Sequence, residues 1–191
     1  MSHNHFLAKT ALLLIDLQLG ILEMPTLPYP SEEITQNAKL LIDRFRQEDA
    51  FIAFIRVKFQ DGKDKLHPSN AMVQLPGDDM NSRFSQFPES FQVTESDYIV
   101  DKRGFSGFFG TDLDLQLRRR GIENLVICGI STHAAVDSTA RDGYQYAYNQ
   151  YFITDAMGAT TEELHYFPIK NLFPLMGQAL TTKDFLQLIE K

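Results

Sequence analysis

Five short apolar runs constrain this sequence more than any other feature: Thr10–Asp16, Phe51–Val57, Tyr98–Asp101, Asn124–Gly129 and Gln150–Asp155. Each is too short for a helix, and unbroken hydrophobicity over about four to eight residues is what a parallel strand covered on both faces requires. Between the runs the apolar spacing lengthens to that of a helix. Ser31 is placed as an N-cap, Glu32 and Glu33 suit the first turn, and Ile34, Ala38, Leu41, Ile42 and Phe45 follow on one face. From Gly107 to Arg120, Phe109, Leu113 and Leu117 recur four apart before three arginines that suit a helix C-terminus, and Gly121 then stops the helix. From His133 to Ala147, the residues Val136, Ala140, Tyr144 and Ala147 share a side, and Thr182 to Glu190 forms a short terminal helix carrying Phe185, Leu186 and Ile189. Strand alternating with helix predicts right-handed βαβ units, hence an α/β fold with a parallel sheet and helices on both faces.

A chain of 191 residues is expected to form one domain, 1–191. Its 43% hydrophobic and 23% charged residues exclude a disordered or low-complexity scaffold. Eighteen basic residues against 25 acidic ones give a formal charge of -7, which repels phosphate backbones, so nucleic acid is not an expected partner. Cys128 is the one cysteine, so neither an intrachain disulfide nor a thiolate metal cluster is available. With no basic-then-apolar leader and no run of roughly 18 apolar residues, the expectation is a cytoplasmic protein that does not enter membranes. Residues 60–91 mix Gly62, Pro68, Pro76, Gly77 and Pro88 with polar residues and are expected to form an irregular insertion serving as a lid or binding loop.

In open α/β sheets ligands sit beyond the carboxyl ends of the strands. Those ends carry Asp16, Arg56, Asp101 with Lys102, Gly129 to Thr132, and Asp155. The glycines Gly104, Gly107 and Gly110 lack the ending of a phosphate-binding loop and are expected to shape a turn, and Ser106 lies outside any nucleophile elbow. The aromatic residues Phe84, Phe87, Phe105 and Phe108 are candidates for a pocket wall. His165, on a further helix, is expected to pack or cap.

Three stretches together resemble the isochorismatase-like superfamily, also called the cysteine hydrolases. They are Leu13-Leu14-Ile15-Asp16-Leu17-Gln18, then Val100-Asp101-Lys102-Arg103-Gly104-Phe105-Ser106-Gly107-Phe108, then Gly129-Ile130-Ser131-Thr132-His133-Ala134-Ala135-Val136-Asp137-Ser138-Thr139-Ala140-Arg141-Asp142. The resemblance runs from about residue 8 to the C-terminus and implies a Rossmann-like three-layer αβα domain around a six-stranded, mostly parallel sheet. It also implies a triad at Asp16, Lys102 and the position of Ala135, where the family's nucleophilic cysteine is replaced. An alanine methyl cannot attack a carbonyl, so thiol amidase chemistry is unavailable. Cys128, seven residues earlier in a strand, is read as buried and inert. The metal site of the nicotinamidases needs an Asp and two His, and the spacing of Asp61 and His67 does not supply it, so neither a metal nor another cofactor is expected.

The isochorismatases of this superfamily also lack the cysteine and hydrolyse a vinyl ether by protonating carbon. By that resemblance Asp16 is the general acid, Lys102 its electrostatic partner, and His133 matches a histidine those enzymes carry. Gln18, Phe105, Ile130, Thr132, His133 and Ala134 complete the expected substrate-binding set, with main-chain N–H groups around Ala134 and Ala135 as an anion site. Arg83-Phe84 is a loose counterpart of the segment that binds substrate carboxylates in those enzymes. The expected substrate is a small carboxylate-type metabolite, and the expected assembly a homo-oligomer. The alternative is a catalytically silent small-molecule or partner-binding protein on the same fold.

Overall fold

A computed structural model describes residues 5–66, 68–72 and 83–190. Its centre is a six-stranded sheet in the order β3-β2-β1-β4-β5-β6. The strands are β1 (Thr10–Ile15), β2 (Phe51–Val57), β3 (Tyr98–Lys102), β4 (Asn124–Ile130), β5 (Asn149–Gly158) and β6 (Gln178–Leu180). All five neighbouring pairs are parallel. Every residue of β1 is buried, because β1 lies at the centre of the sheet with helices above and below.

The two faces of β1 divide the core. Leu12 and Leu14 pack with Ile34, Ala38, Leu41, Ile42 and Phe45 of α2 (Ser31–Gln47) and with Phe185 and Ile189 of α6 (Thr182–Ile189). Ala11, Leu13 and Ile15 pack with Leu113 and Leu117 of α3 (Leu113–Arg119) and with Val136 and Ala140 beside α4 (Asp137–Gln145). This alternation follows from the period of two along a strand. The helix faces read from the sequence in α2 and α6 are the faces that are buried. Two further helices are α1 (Leu19–Leu22) and α5 (Glu162–Asn171).

Several boundaries differ from expectation, each for a local reason. The helix expected from Gly107 begins only at Leu113, because hydrogen bonds to α4 hold Ser106 and Gly107 and Gly110 takes φ +71°, leaving Phe109 73% exposed. Ser31 is the first helical residue of α2 rather than its cap, and Pro30 occupies the cap position with no side-chain bond. The segment from His133 splits into a wide π-turn (Thr132–Val136) and α4, and Tyr144 and Ala147 are exposed while Gly143 takes the buried place. β5 runs on to Gly158 through a register shift against β4, so Asp155 lies inside the strand rather than at its end.

Of the insertion expected at 60–91, His67 and residues 73–82 lie outside the described residues. Its last part is anchored: Leu19 and Gly20 donate main-chain hydrogen bonds to Gln86 and Phe84, and Phe91 is fully buried in the core. Among the described residues no helix is long and apolar enough to cross a membrane.

Candidate active site

β1 ends where Asp16 turns into the left-handed region, φ 54°, a conformation aspartate tolerates better than most residues. Its N–H still donates to the Ile55 carbonyl at 2.9 Å, so the turn begins while the residue is fixed against β2. Next to it, Gly129 of β4 has φ +139°, and a Cβ built there would lie 2.0 Å from the Ile15 carbonyl oxygen. Only a residue without a side chain lets the ends of β1 and β4 come this close.

β3 brings Lys102 to the same end of the sheet. Its Nζ donates to Asp16 Oδ2 at 2.8 Å and to the Gly104 carbonyl at 2.9 Å. The side chains are 1% and 6% exposed, so this ion pair is sealed from solvent. Asp16 Oδ1 is buried and has no partner among the described residues. Burial disfavours the carboxylate and the Lys102 ammonium favours it; burial wins, and the Asp16 pKa rises from 3.8 to about 6. An acid with one oxygen held by an ammonium and the other unengaged can release or take up a proton near neutrality.

β4 delivers the third element. After the cis Ile130–Ser131 peptide, the π-turn Thr132–Val136 carries His133, Ala134 and Ala135. The Ser131 carbonyl accepts from the N–H groups of both Ala134 (3.2 Å) and Val136 (3.1 Å), so the Ala134 N–H expected in an anion site is already committed. Thr132 is buried, its hydroxyl 3.0 Å from the Gly158 carbonyl and 2.9 Å from His165 Nδ1. The His133 ring is half-buried with Nδ1 unpartnered among the described residues; burial holds its pKa below the ordinary value, and Asp137 opposes that. Cys128 is buried in β4 and burial pushes its thiol far up, the condition of an inert cysteine.

Other residues expected in the site serve different ends. Gln18 is fully buried, and its amide binds backbone on both sides: Nε2 donates to Val57 O (3.0 Å) and Phe84 O (3.1 Å), and Oε1 accepts from Val57 N–H (2.7 Å). It straps the end of β2 to the 83–91 segment. Arg56 and Asp101 pair with each other at 2.6 Å, and Asp155 caps α6 by accepting from Thr182 N–H and Oγ1. Phe108 is core, Phe87 stacks edge-on against Phe54, and Phe105 remains 46% exposed. Arg83 is paired with Glu23 at the surface.

Sequence reasoning passed over the clamp that joins the lysine segment to α4. Thr139 Oγ1 donates to the Ala135 carbonyl (2.7 Å) and accepts from Gly107 N–H (2.9 Å), while Ser106 Oγ donates to Asp142 Oδ2 (2.5 Å). The signal was the three-residue spacing of Thr139 and Asp142, which sets both on one side of a helix. Among the described residues no cluster of three or more His, Cys, Asp or Glu side chains could hold a metal ion; His67, considered for one, lies outside them.

A doubly wound parallel sheet with a buried aspartate and lysine side by side at its carboxyl edge defines the hydrolase class to which the motifs pointed. The isochorismatase domain model matches residues 10–184, and the chain belongs to the isochorismatase family. It is 44% identical over 183 residues to the isochorismatase family protein YwoC of Bacillus subtilis, covering 95% of each chain. It is similar in structure to an isochorismatase family protein from Burkholderia thailandensis, with TM-score 0.92, 32% identity and coverage of 96% and 97%. A shorter match, 36% identical over 103 residues, covers 53% of this chain and 42% of the ureidoacrylate amidohydrolase RutB of Acinetobacter baylyi.

Proposed function

We propose that this hydrolase acts on a small carboxylate-type metabolite by acid catalysis, cleaving an enol ether with Asp16 as proton donor. The observation that carries the reading is the Asp16 carboxyl: buried, raised to about 6, and with Oδ1 lacking a hydrogen-bond partner among the described residues. Asp16 gives its proton to the terminal vinyl carbon, and the C=C electron pair forms the new C–H bond. The adjacent carbon becomes an oxocarbenium ion, while the aspartate left behind is stabilised by the Lys102 ammonium at 2.8 Å. Water adds to that carbon and returns a proton to Asp16. The hemiketal then collapses to an alcohol and a ketone, so no protein nucleophile is needed and Ala135 is no obstacle.

A second reading, a binding protein without turnover, is favoured by Ala135 at the nucleophile's position and by the Ala134 N–H being held on Ser131. The two separate in a turnover assay of isochorismate, an enol ether, against a panel of small amides, using the unmodified chain, Asp16→Asn and Ala135→Cys. Ether hydrolysis by the unmodified chain, lost in a folded Asp16→Asn, supports the acid mechanism. Inertness to every compound, with amidase activity appearing in Ala135→Cys, sinks it.

A further inference from the structure

His165 is completely buried in α5, yet it is bonded to the turn that carries Ala135. The geometry assigns its protons. The Thr132 hydroxyl lies 3.0 Å from the Gly158 carbonyl, which can only accept, so the one hydroxyl proton goes there. The contact of 2.9 Å between Thr132 Oγ1 and His165 Nδ1 is then a hydrogen bond only if Nδ1 carries a proton and donates it. Nε2 is left as the bare nitrogen, and it is buried with no partner among the described residues. Burial pushes the imidazole pKa down to about 4, so the ring is neutral and keeps this tautomer wherever the fold persists near neutrality. Tyr29 and Tyr166 meet the ring edge-on, at centroid distances of 5.8 and 4.9 Å, and hold its plane.

We propose that His165 is a positioning residue of the active site, the donor that fixes Thr132 and with it the turn that carries His133, Ala134 and Ala135. The chain of bonds runs from α5 through His165 and Thr132 to the end of β5, and Ile130 pairs with that same Gly158 in the sheet. A hydroxyl with a single proton can hold one acceptor by itself. The second contact, which stops the hydroxyl from rotating away, exists because a neutral histidine supplies the missing donor. The consequence for catalysis rests on the hydrolase reading; the positioning itself does not.

The test compares two replacements that separate donation from packing. Asn at 165 keeps an N–H donor near the Nδ1 position but loses volume, whereas Leu keeps apolar volume and has no donor. Positioning requires His165→Asn to retain the amide resonances and exchange protection of residues 132–136. It requires His165→Leu to shift them and lower that protection about tenfold, the ratio one buried hydrogen bond supplies. Packing alone reverses the order, with Leu indistinguishable from the native side chain and Asn the damaged one, and that result overturns the proposal. Nitrogen NMR of the unmodified protein adds a direct check: a protonated Nδ1 with a bare Nε2 supports it, and the opposite tautomer refutes it. Neither readout needs turnover, so an inactive enzyme would sink the acid mechanism and leave this inference standing.

Discussion

The raised pKa of Asp16 can be tested directly by removing the charge beside it. The rise from 3.8 to about 6 corresponds to roughly 3 kcal/mol and leaves about one molecule in ten protonated at pH 7, against fewer than about one in a thousand for an ordinary aspartate. Lys102 is the main opponent of that rise, so replacing it with Met, of similar length and uncharged, leaves burial opposed only by the Val57 main chain and moves the carboxyl above 6. Because the folded-state value is the higher one, the folded protein binds more protons than the unfolded chain between about 4 and 6. Stability is therefore greatest below pH 3.8 as far as this group is concerned, and is lost as pH rises through about 6. In Lys102→Met the loss continues to higher pH: the variant stays close to the native protein at pH 5, where Asp16 is neutral, and falls behind by about 3 kcal/mol at pH 8, where a buried charge stands without its partner. The assay is carbon NMR of labelled aspartate carboxyls, with Asp16 assigned from Asp16→Asn, beside urea denaturation at the two pH values. A native Asp16 titrating below 5, or a downward shift in Lys102→Met, would refute the balance between burial and ammonium.

Two further outcomes follow from the backbone around the site. Gly129→Ala forces a Cβ to within 2.0 Å of the Ile15 carbonyl oxygen at a φ of +139°, so it should cost about 3 kcal/mol or more, read as a lowered denaturation midpoint with the purified variant. Thr139→Val leaves the buried Gly107 N–H without an acceptor, which should cost about 1–3 kcal/mol and speed amide exchange at Gly107 and Phe108 ahead of the rest of the chain.

What could be read in advance depended on whether a residue's surroundings were set by its own segment. The central strands were legible because burial on both faces leaves no polar position in Leu12 to Ile15. The apolar face of α2 was legible because it follows helical spacing without interruption. The helix placed from Gly107 failed because the residues at its start, Ser106 and Gly107, answer to partners more than thirty positions away, Asp142 and Thr139, which no local period reveals. β6, three residues long and largely exposed, carries too little apolar pattern to be seen. Asp16 and Lys102 could be named as a pair because each closes an apolar run beside a motif residue. Gln18 shows the reverse: its place beside Asp16 suggested substrate, and its amide is occupied by the backbone at Val57 and Phe84.

The bonds that shape the turn explain how the site tolerates alanine at its centre. Ser131 receives Ala134 and Val136, Thr139 is received by the Ala135 carbonyl, and Thr132 is tied to Gly158 and His165. Each of these uses main chain or a neighbouring side chain, and the side chain at position 135 takes part in none. The frame of the turn is thus independent of the side chain at position 135, and under the proposed function exchanging one small side chain there is expected to change the chemistry and leave these bonds in place. The two chemistries then place opposite demands on one carboxyl. Proton donation to carbon draws on neutral Asp16 and weakens as pH rises through about 6, whereas activation of a thiol at position 135 would need the ionised form and strengthen over the same interval. The Lys102 ammonium, held between the Asp16 carboxylate and the Gly104 carbonyl, serves either case, since in both it is the ionised aspartate, as product or as base, that it stabilises.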